Sequence, residues 1–387
     1  MRKWIRYGLV GLLVLVLAGV GGGYLWFQQA PISLPFVFAQ PGTLDEIVLP
    51  EGFEIDYYAQ DVRGARTLRL SEDGTLFVGT RGAGNLYAIP NATEGTQASE
   101  VVTLATGMNA PNGLEVVDGD LYVAEIGRLL RYDDIESSLP NLPEPTVVTE
   151  ALPDAQHHGW RYMMYGPDEK LYISVGAPCN VCELEEMFGT VSRMNLDGSE
   201  FEEYADGVRN SVGMDFHPET EVLWFTNNGR DMMGDDLPPD TLHRAAEPGL
   251  HFGFPYCHAG DIPDPEFGEQ RACDEFAEPA QDLTPHGAAL GMRFYTGEMF
   301  PDDYDNQVFV AEHGSWNRTV PIGYRVMMAT LDAENNVTGY EPFAEGWLNE
   351  QTEQAWGRPV DVQVMPDGAL LVSDDANNAI YRISYTG

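Results

Sequence analysis

Ser71-Glu72-Asp73-Gly74-Thr75-Leu76-Phe77-Val78 and, far along the chain, Met365-Pro366-Asp367-Gly368-Ala369-Leu370-Leu371-Val372 repeat one statement: an acidic Gly turn, then a short apolar strand. The same grammar stands at Val117-Asp118-Gly119-Asp120 before Leu121-Tyr122-Val123, and at Gly166-Pro167-Asp168-Glu169 before Leu171-Tyr172-Ile173. His217-Pro218-Glu219-Thr220 precedes Leu223-Trp224-Phe225, and Pro301-Asp302-Asp303 precedes Val308-Phe309-Val310. Some units close with a further strand, as in Asn85-Leu86-Tyr87-Ala88-Ile89 and Ala379-Ile380-Tyr381-Arg382-Ile383. Runs of β-branched and aromatic residues between Gly, Pro and Asp turns make hairpins, not helices. A period of roughly 45 to 50 residues, stretched by insertions in the later copies, is that of a propeller blade. A single blade has too little core to stand alone, so blades close into a ring that buries successive sheet faces. A two-sheet sandwich would give irregular units instead. The expectation is an all-β protein, a six-bladed β-propeller over residues 46–387.

Composition narrows the function. With 21 Lys+Arg against 61 Asp+Glu the formal charge is −40, spread along the chain, and no basic tract is present to hold a phosphate backbone. Nucleic-acid binding is therefore not expected. The basic flank 1–6 precedes an uncharged stretch, residues 7–27, long enough to span a bilayer. Cations before the span place the body outside the cytoplasm. Ala18-Gly19-Val20-Gly21 offers the small residues of a cleaved signal segment, but the run is long for one, so of the two readings an uncleaved membrane anchor is favoured, followed by a linker over 28–45. In an oxidising compartment, Cys179 with Cys182 and Cys257 with Cys273 read as two local disulfides.

Polar residues recur at blade entries. Asn112-Gly113 opens the second blade, His157-His158 the third, Arg209-Asn210 the fourth and Arg358 the sixth. Ring closure brings these equivalent positions to the mouth of one axial channel. Arginine offers a planar fork for carboxylates, and histidine is the side chain most available as a base near neutral pH. Long insertions between Gly249 and Ala289 and after Trp316 can wall the cleft.

At these residues the chain resembles the glucose/sorbosone dehydrogenase family, six-bladed propellers that oxidise sugars with pyrroloquinoline quinone (PQQ) and calcium. The matching stretches include His158-Gly159-Trp160-Arg161, Tyr165 to Tyr172, Val175 to Asn180, Gly207 to Asn210 and Asn228 to Asp231. They continue with His251 to Pro255, Glu312 to Arg318 and Gly357 to Asp361, and look most like the sorbosone-dehydrogenase branch. The resemblance implies that His158, eight residues before Gly166, is the base, with His157 the competitor. It implies that Arg209, Asn210 and Arg358 hold the cofactor, joined by Asn112, His313 and Arg318, and that calcium sits on the backbone carbonyls of Gly229 and Arg230. Electrons would pass to an external quinone or cytochrome. The chain departs from the family at His313, where a lysine is common, and at Asp240-Thr241-Leu242-His243 after the calcium turn. Two other readings stand beside this one: a calcium-dependent lactonase or esterase propeller, and a non-catalytic propeller that binds glycans or protein.

Overall fold

The computed structural model describes residues 42–387; the expected membrane span lies outside them. Six sheets of at least four strands follow one another around a ring. Blade 1 is built from Ala65–Leu70, Leu76–Thr80, Leu86–Ile89 and Val102–Ala105, each strand antiparallel to the last. Blade 2 occupies residues 113–149, blade 3 residues 163–206, blade 4 residues 214–245 with Gln281–Asp282 as its outer strand, and blade 5 residues 289–344.

Blade 6 is closed by a distant piece of chain. Pro359–Val364, Leu370–Asp374 and Ala379–Tyr385 supply three strands, and Phe53–Ala59 adds the fourth by pairing antiparallel with Ala379–Tyr385. This pairing locks the ring, because no blade can leave without breaking it.

The strands after the acidic turns are buried along their whole length, as in Leu76–Thr80, Leu171–Val175 and Leu370–Asp374. Both faces of each sheet are covered by neighbouring blades, so these strands are continuously apolar instead of alternating. Six apolar clusters result, one at each interface between adjacent blades. Leu76 and Val78 pack with Leu371 and Ile380 between blades 1 and 6, for example.

The first, innermost strands carry the bulges that shape the axis. Pairing skips between Ala65 and Leu68, between Ala289 and Met292, and between Pro359 and Val362. A bulge re-aims the side chains inside it, and here those include Arg66, Leu290 and Asp361. Further along the axis the ring is filled. Asp361 of blade 6 accepts the Leu68 amide at 3.0 Å and the Tyr162 hydroxyl at 3.1 Å, joining three blades. Arg69 and Arg293 lie over the same tyrosine ring at 5.1 and 5.9 Å. Among the described residues no helix is long and apolar enough to cross a membrane.

Candidate active site

Above this plug the axis opens into a cavity of about 290 Å³. Blade entries contribute His158, Trp160, Arg209, Asn210 and Arg358; the bulge of blade 1 contributes Arg66. A second set comes from the residue that follows each blade's second strand: Arg81 after Leu76–Thr80, Asn228 after Leu223–Asn227, and His313 after Val308–Glu312. Asp375, which follows Leu370–Asp374, joins that set through its bonds to Arg66 and His313.

His158 is buried and its backbone is left-handed, with φ +50°. Such a conformation is unusual for a residue with a side chain and is tolerated where the surroundings hold it. Gly176 makes it fit, since a Cβ there would lie 2.6 Å from the His158 Cβ. The Nδ1 of His158 is 2.9 Å from the Ala177 carbonyl oxygen. A carbonyl only accepts, so Nδ1 carries the hydrogen and Nε2 keeps a lone pair. Burial, reinforced by the Arg209 guanidinium and by His157, pushes the His158 pKa down to about 2. The ring is therefore a neutral acceptor at any working pH.

Four arginines surround the cavity, in a chain with only 21 Lys+Arg. They are not equivalent. Arg209 donates Nε–H to the Asn180 carbonyl (2.9 Å), Nη1–H to the Asn228 carbonyl (3.2 Å), and Nη2–H to Asn180 Oδ1 (2.9 Å) and Asp231 Oδ2 (2.8 Å). Since a guanidinium has five N–H groups, a single one is left for a ligand. Arg66 donates Nε–H to Asn112 Oδ1 at 2.9 Å and pairs with Asp375 at 2.7 Å. Arg358 is aimed by two carbonyls, of His313 and Gly314, each at 3.0 Å, and no carboxylate among the described residues pairs with it. Arg81 lies over the Trp160 ring and likewise makes no ion pair among the described residues. Arg358 and Arg81 are thus the two of the four without a carboxylate partner among the described residues, while Arg66 and Arg209 are each paired with one.

His313 donates Nε2–H to Asp375 at 2.8 Å. Burial and Arg358 push its pKa down to about 4, while His313, Arg66 and Arg358 hold Asp375 well below the usual carboxylate range despite its burial. Asn210 offers a carboxamide that no described residue binds; its main chain is fixed through Asn227 and Asn228. Gly229 donates its amide to Asp240 Oδ1 at 2.9 Å. Burial pushes the Asp240 pKa up to about 7. The carbonyl oxygens of Gly229 and Arg230 receive no hydrogen bond among the described residues.

The structure brings together six of the expected residues, namely His158, Arg209, Asn210, Gly229, His313 and Arg358. Asn112 and Arg318, also expected at the cofactor, do not line this cavity. Asn112 is fully buried and spends its carboxamide on Arg66 and on the Arg161 carbonyl (2.7 Å), so it acts on the cavity only through Arg66. Arg318 clamps the 235–236 loop through the Asp235 carbonyl and the Asp236 carboxylate. The Arg230 side chain also turns away, toward Asp264 and Glu266. His157 is exposed, its ring 4.0 Å from that of His158. Both disulfides are present, Cys179–Cys182 and Cys257–Cys273, with Cα–Cα distances of 6.2 and 5.4 Å. Arg66 and Arg81 are additions that the blade-entry rule did not supply, and Trp160 is a blade-entry residue that the sequence does not single out for the cavity. For Arg81 the signal existed: it holds the same place in blade 1 as Asn228, His313 and Asp375 hold in theirs.

Fold and cavity define a six-bladed propeller that presents a cationic pocket and a neutral buried histidine on its axis. The chain belongs to the TrAA12-like family, whose model matches residues 47–386. An uncharacterized protein of Borreliella burgdorferi is 31% identical over 350 residues, covering 87% of this chain and 90% of that one. The pyrroloquinoline quinone-dependent pyranose dehydrogenase of Coprinopsis cinerea is 32% identical over 123 residues, 27% of this chain and 16% of that one. Among solved structures, the holo PQQ domain of pyranose dehydrogenase from Coprinopsis cinerea superposes with a TM-score of 0.75 at 17% identity, covering 87% of this chain and 97% of that one. The calcium structure of the Trichoderma reesei family AA12 enzyme gives 0.75 at 17%, covering 92% and 98%.

Proposed function

We propose that this chain is a PQQ- and calcium-dependent dehydrogenase that oxidises an aldose or a sorbosone-like sugar. The observation that carries the reading is the concentration of four arginines around a neutral, buried histidine in a chain of charge −40. A pocket so cationic in so acidic a protein is built for an anion, and PQQ, on which the Coprinopsis cinerea pyranose dehydrogenase depends, carries three carboxylates. The residues fit such a group: among the described residues Arg81 and Arg358 have no carboxylate partner and nothing binds the Asn210 carboxamide. The unpaired carbonyls of Gly229 and Arg230 suit a hard cation, since calcium takes backbone oxygens readily. When bound, PQQ supplies a quinone that accepts hydride from a sugar carbon.

The chain's own residues do the rest. Arg81 and Arg358 neutralise carboxylates, and Arg209 acts as a fixed charge with one remaining N–H. With a bound anion offsetting the Arg209 charge that helps depress its pKa in the empty cavity, His158 accepts the sugar hydroxyl proton at Nε2, while its Nδ1–H stays on Ala177 and holds the ring in place. Trp160, at 6.1 Å from the His158 ring and roughly perpendicular to it, offers an apolar face for a pyranose. An external quinone or cytochrome would take the electrons onward. A hydrolytic calcium propeller would instead hold its metal mainly with Asn, Asp and Glu side chains on the axis, where this cavity gathers four arginines and three histidines, a lining that suits an anionic quinone better.

Titration of the purified apoprotein with PQQ and calcium tests this. Binding should raise the melting temperature by mass action and confer dye reduction with sugars. No change in either would end the proposal, and ester or lactone hydrolysis would favour the hydrolase. The protein is further proposed to lie outside the cytoplasm, held by its N-terminal segment, in keeping with two disulfides and no free cysteine among the described residues. Protease added to intact spheroplasts should then digest the propeller, and protection would place it inside.

A further inference from the structure

The Cys179–Cys182 bridge closes a ring of four residues between the second and third strands of blade 3. Asn180, inside that ring, binds two other segments that both face the cavity. Its carbonyl accepts Nε–H of Arg209 at 2.9 Å, and its Oδ1 accepts both Nη2–H of Arg209 and the Asp231 amide, each at 2.9 Å. Its Nδ2 donates to the Asp231 carbonyl at 3.1 Å. Arg209 enters blade 4, and Asp231 directly follows the Gly229-Arg230 turn. One carboxamide therefore sets the angle of a guanidinium and the position of the turn beside it.

We infer that Asn180, fixed by the Cys179–Cys182 ring, is the positioning residue that aims the remaining N–H of Arg209 into the cavity and keeps the Gly229-Arg230 turn in register with it. The physical argument is one of donor count. With four of its five N–H groups engaged, Arg209 has no freedom to seek a ligand, so its usefulness depends on where those four bonds hold it. Asn180 accepts two of the four. Asp231 accepts a third, and Asp231 is itself bound at both its amide and its carbonyl by Asn180. The disulfide matters because the Asn180 carbonyl is a main-chain atom, whose position depends on the ring.

This inference rests on the cofactor reading above. The test is a PQQ titration of full-length apoprotein in calcium chloride, followed by tryptophan fluorescence, with melting of the apo form as the control. Asn180→Ala should melt like the native protein yet bind PQQ about tenfold to a hundredfold more weakly, the effect of losing a hydrogen bond to a charged group. Asn180→Asp, which restores the oxygen acceptor for Arg209 and the Asp231 amide but loses the donor to the Asp231 carbonyl, should recover part of the affinity. A Cys179→Ser/Cys182→Ser double variant should also bind more weakly. If Asn180→Ala is not recovered folded, Asn180→Gln, which displaces the carboxamide by one methylene, makes the same comparison. Native-like PQQ affinity in the folded Asn180 variant overturns the positioning role. Absence of PQQ binding by the native protein itself overturns the cofactor reading, and the inference with it.

Discussion

The guanidinium of Arg81 sits 3.6 Å from the centroid of the Trp160 ring, and no carboxylate among the described residues pairs with it. Burial, with Arg66 and Arg358 as like charges nearby, lowers its pKa to about 10. A cation held against burial and its own kind is poised for an anion, and the tryptophan face keeps it from swinging away to solvent.

Arg81→Gln should therefore weaken PQQ binding by about tenfold, the scale of one charge-assisted hydrogen bond. It should also flatten the salt dependence of that affinity, because one fewer charge is being screened. Arg81→Lys should fall between the two. Titrations at low and high salt check this, and unchanged affinity in Arg81→Gln would remove the residue from the binding site.

His158→Ala should lose about 10² to 10⁴ in turnover, the usual contribution of a general base, while still binding PQQ. His157→Ala should be far milder, because His157 is exposed and does not line the cavity. Steady-state kinetics on both variants decide between them. The reverse ranking would move the base by one residue.

Acid should destabilise the protein through the same histidine. Its folded pKa, about 2, lies below the ordinary 6.5, so between these values the unfolded chain binds a proton that the folded chain refuses. The stabilising contribution is complete above pH 6.5 and is lost as pH falls, at about 1.4 kcal/mol per unit. His313, lowered to about 4, adds a second slope over a narrower window. Denaturant unfolding of His158→Gln from pH 7 to pH 4 should show a shallower loss than the native protein. An identical slope would mean that His158 titrates normally when folded.

Ring closure gives the largest expected stability effect. Phe53, in the strand that completes blade 6, meets Phe300, Tyr304 and Phe343 edge-on with centroids 4.7, 5.2 and 5.1 Å away. Phe53→Ala removes a buried aromatic at the seam and should cost about 3–5 kcal/mol. Chemical denaturation measures it, and a loss below about 1 kcal/mol would show that the seam is held by the strand's hydrogen bonds alone.

The sequence by itself determined the architecture, because a blade is a local object. Turn, strand and return all lie within about fifty residues, so Ser71 to Ile89 and Met365 to Ile383 announce their hairpins unaided, and six such announcements set the ring. The blade-entry residues were legible for the same reason: His158, Arg209, Asn210 and Arg358 hold equivalent places in a repeat that closure must bring to one axis. Only the tertiary structure decided what each polar side chain faces. Asn112 reads as a ligand in the repeat, yet its carboxamide is taken by Arg66, 46 residues away. Arg66 reads as an ordinary strand residue, yet a bulge turns it to the axis, where it meets Asp375 across 309 residues of sequence. Such pairings are absent from the local pattern because they cross from blade to blade: Arg66–Asn112 joins blades 1 and 2, and Arg66–Asp375 forms when Phe53–Ala59 completes blade 6 and the two ends of the repeat become neighbours.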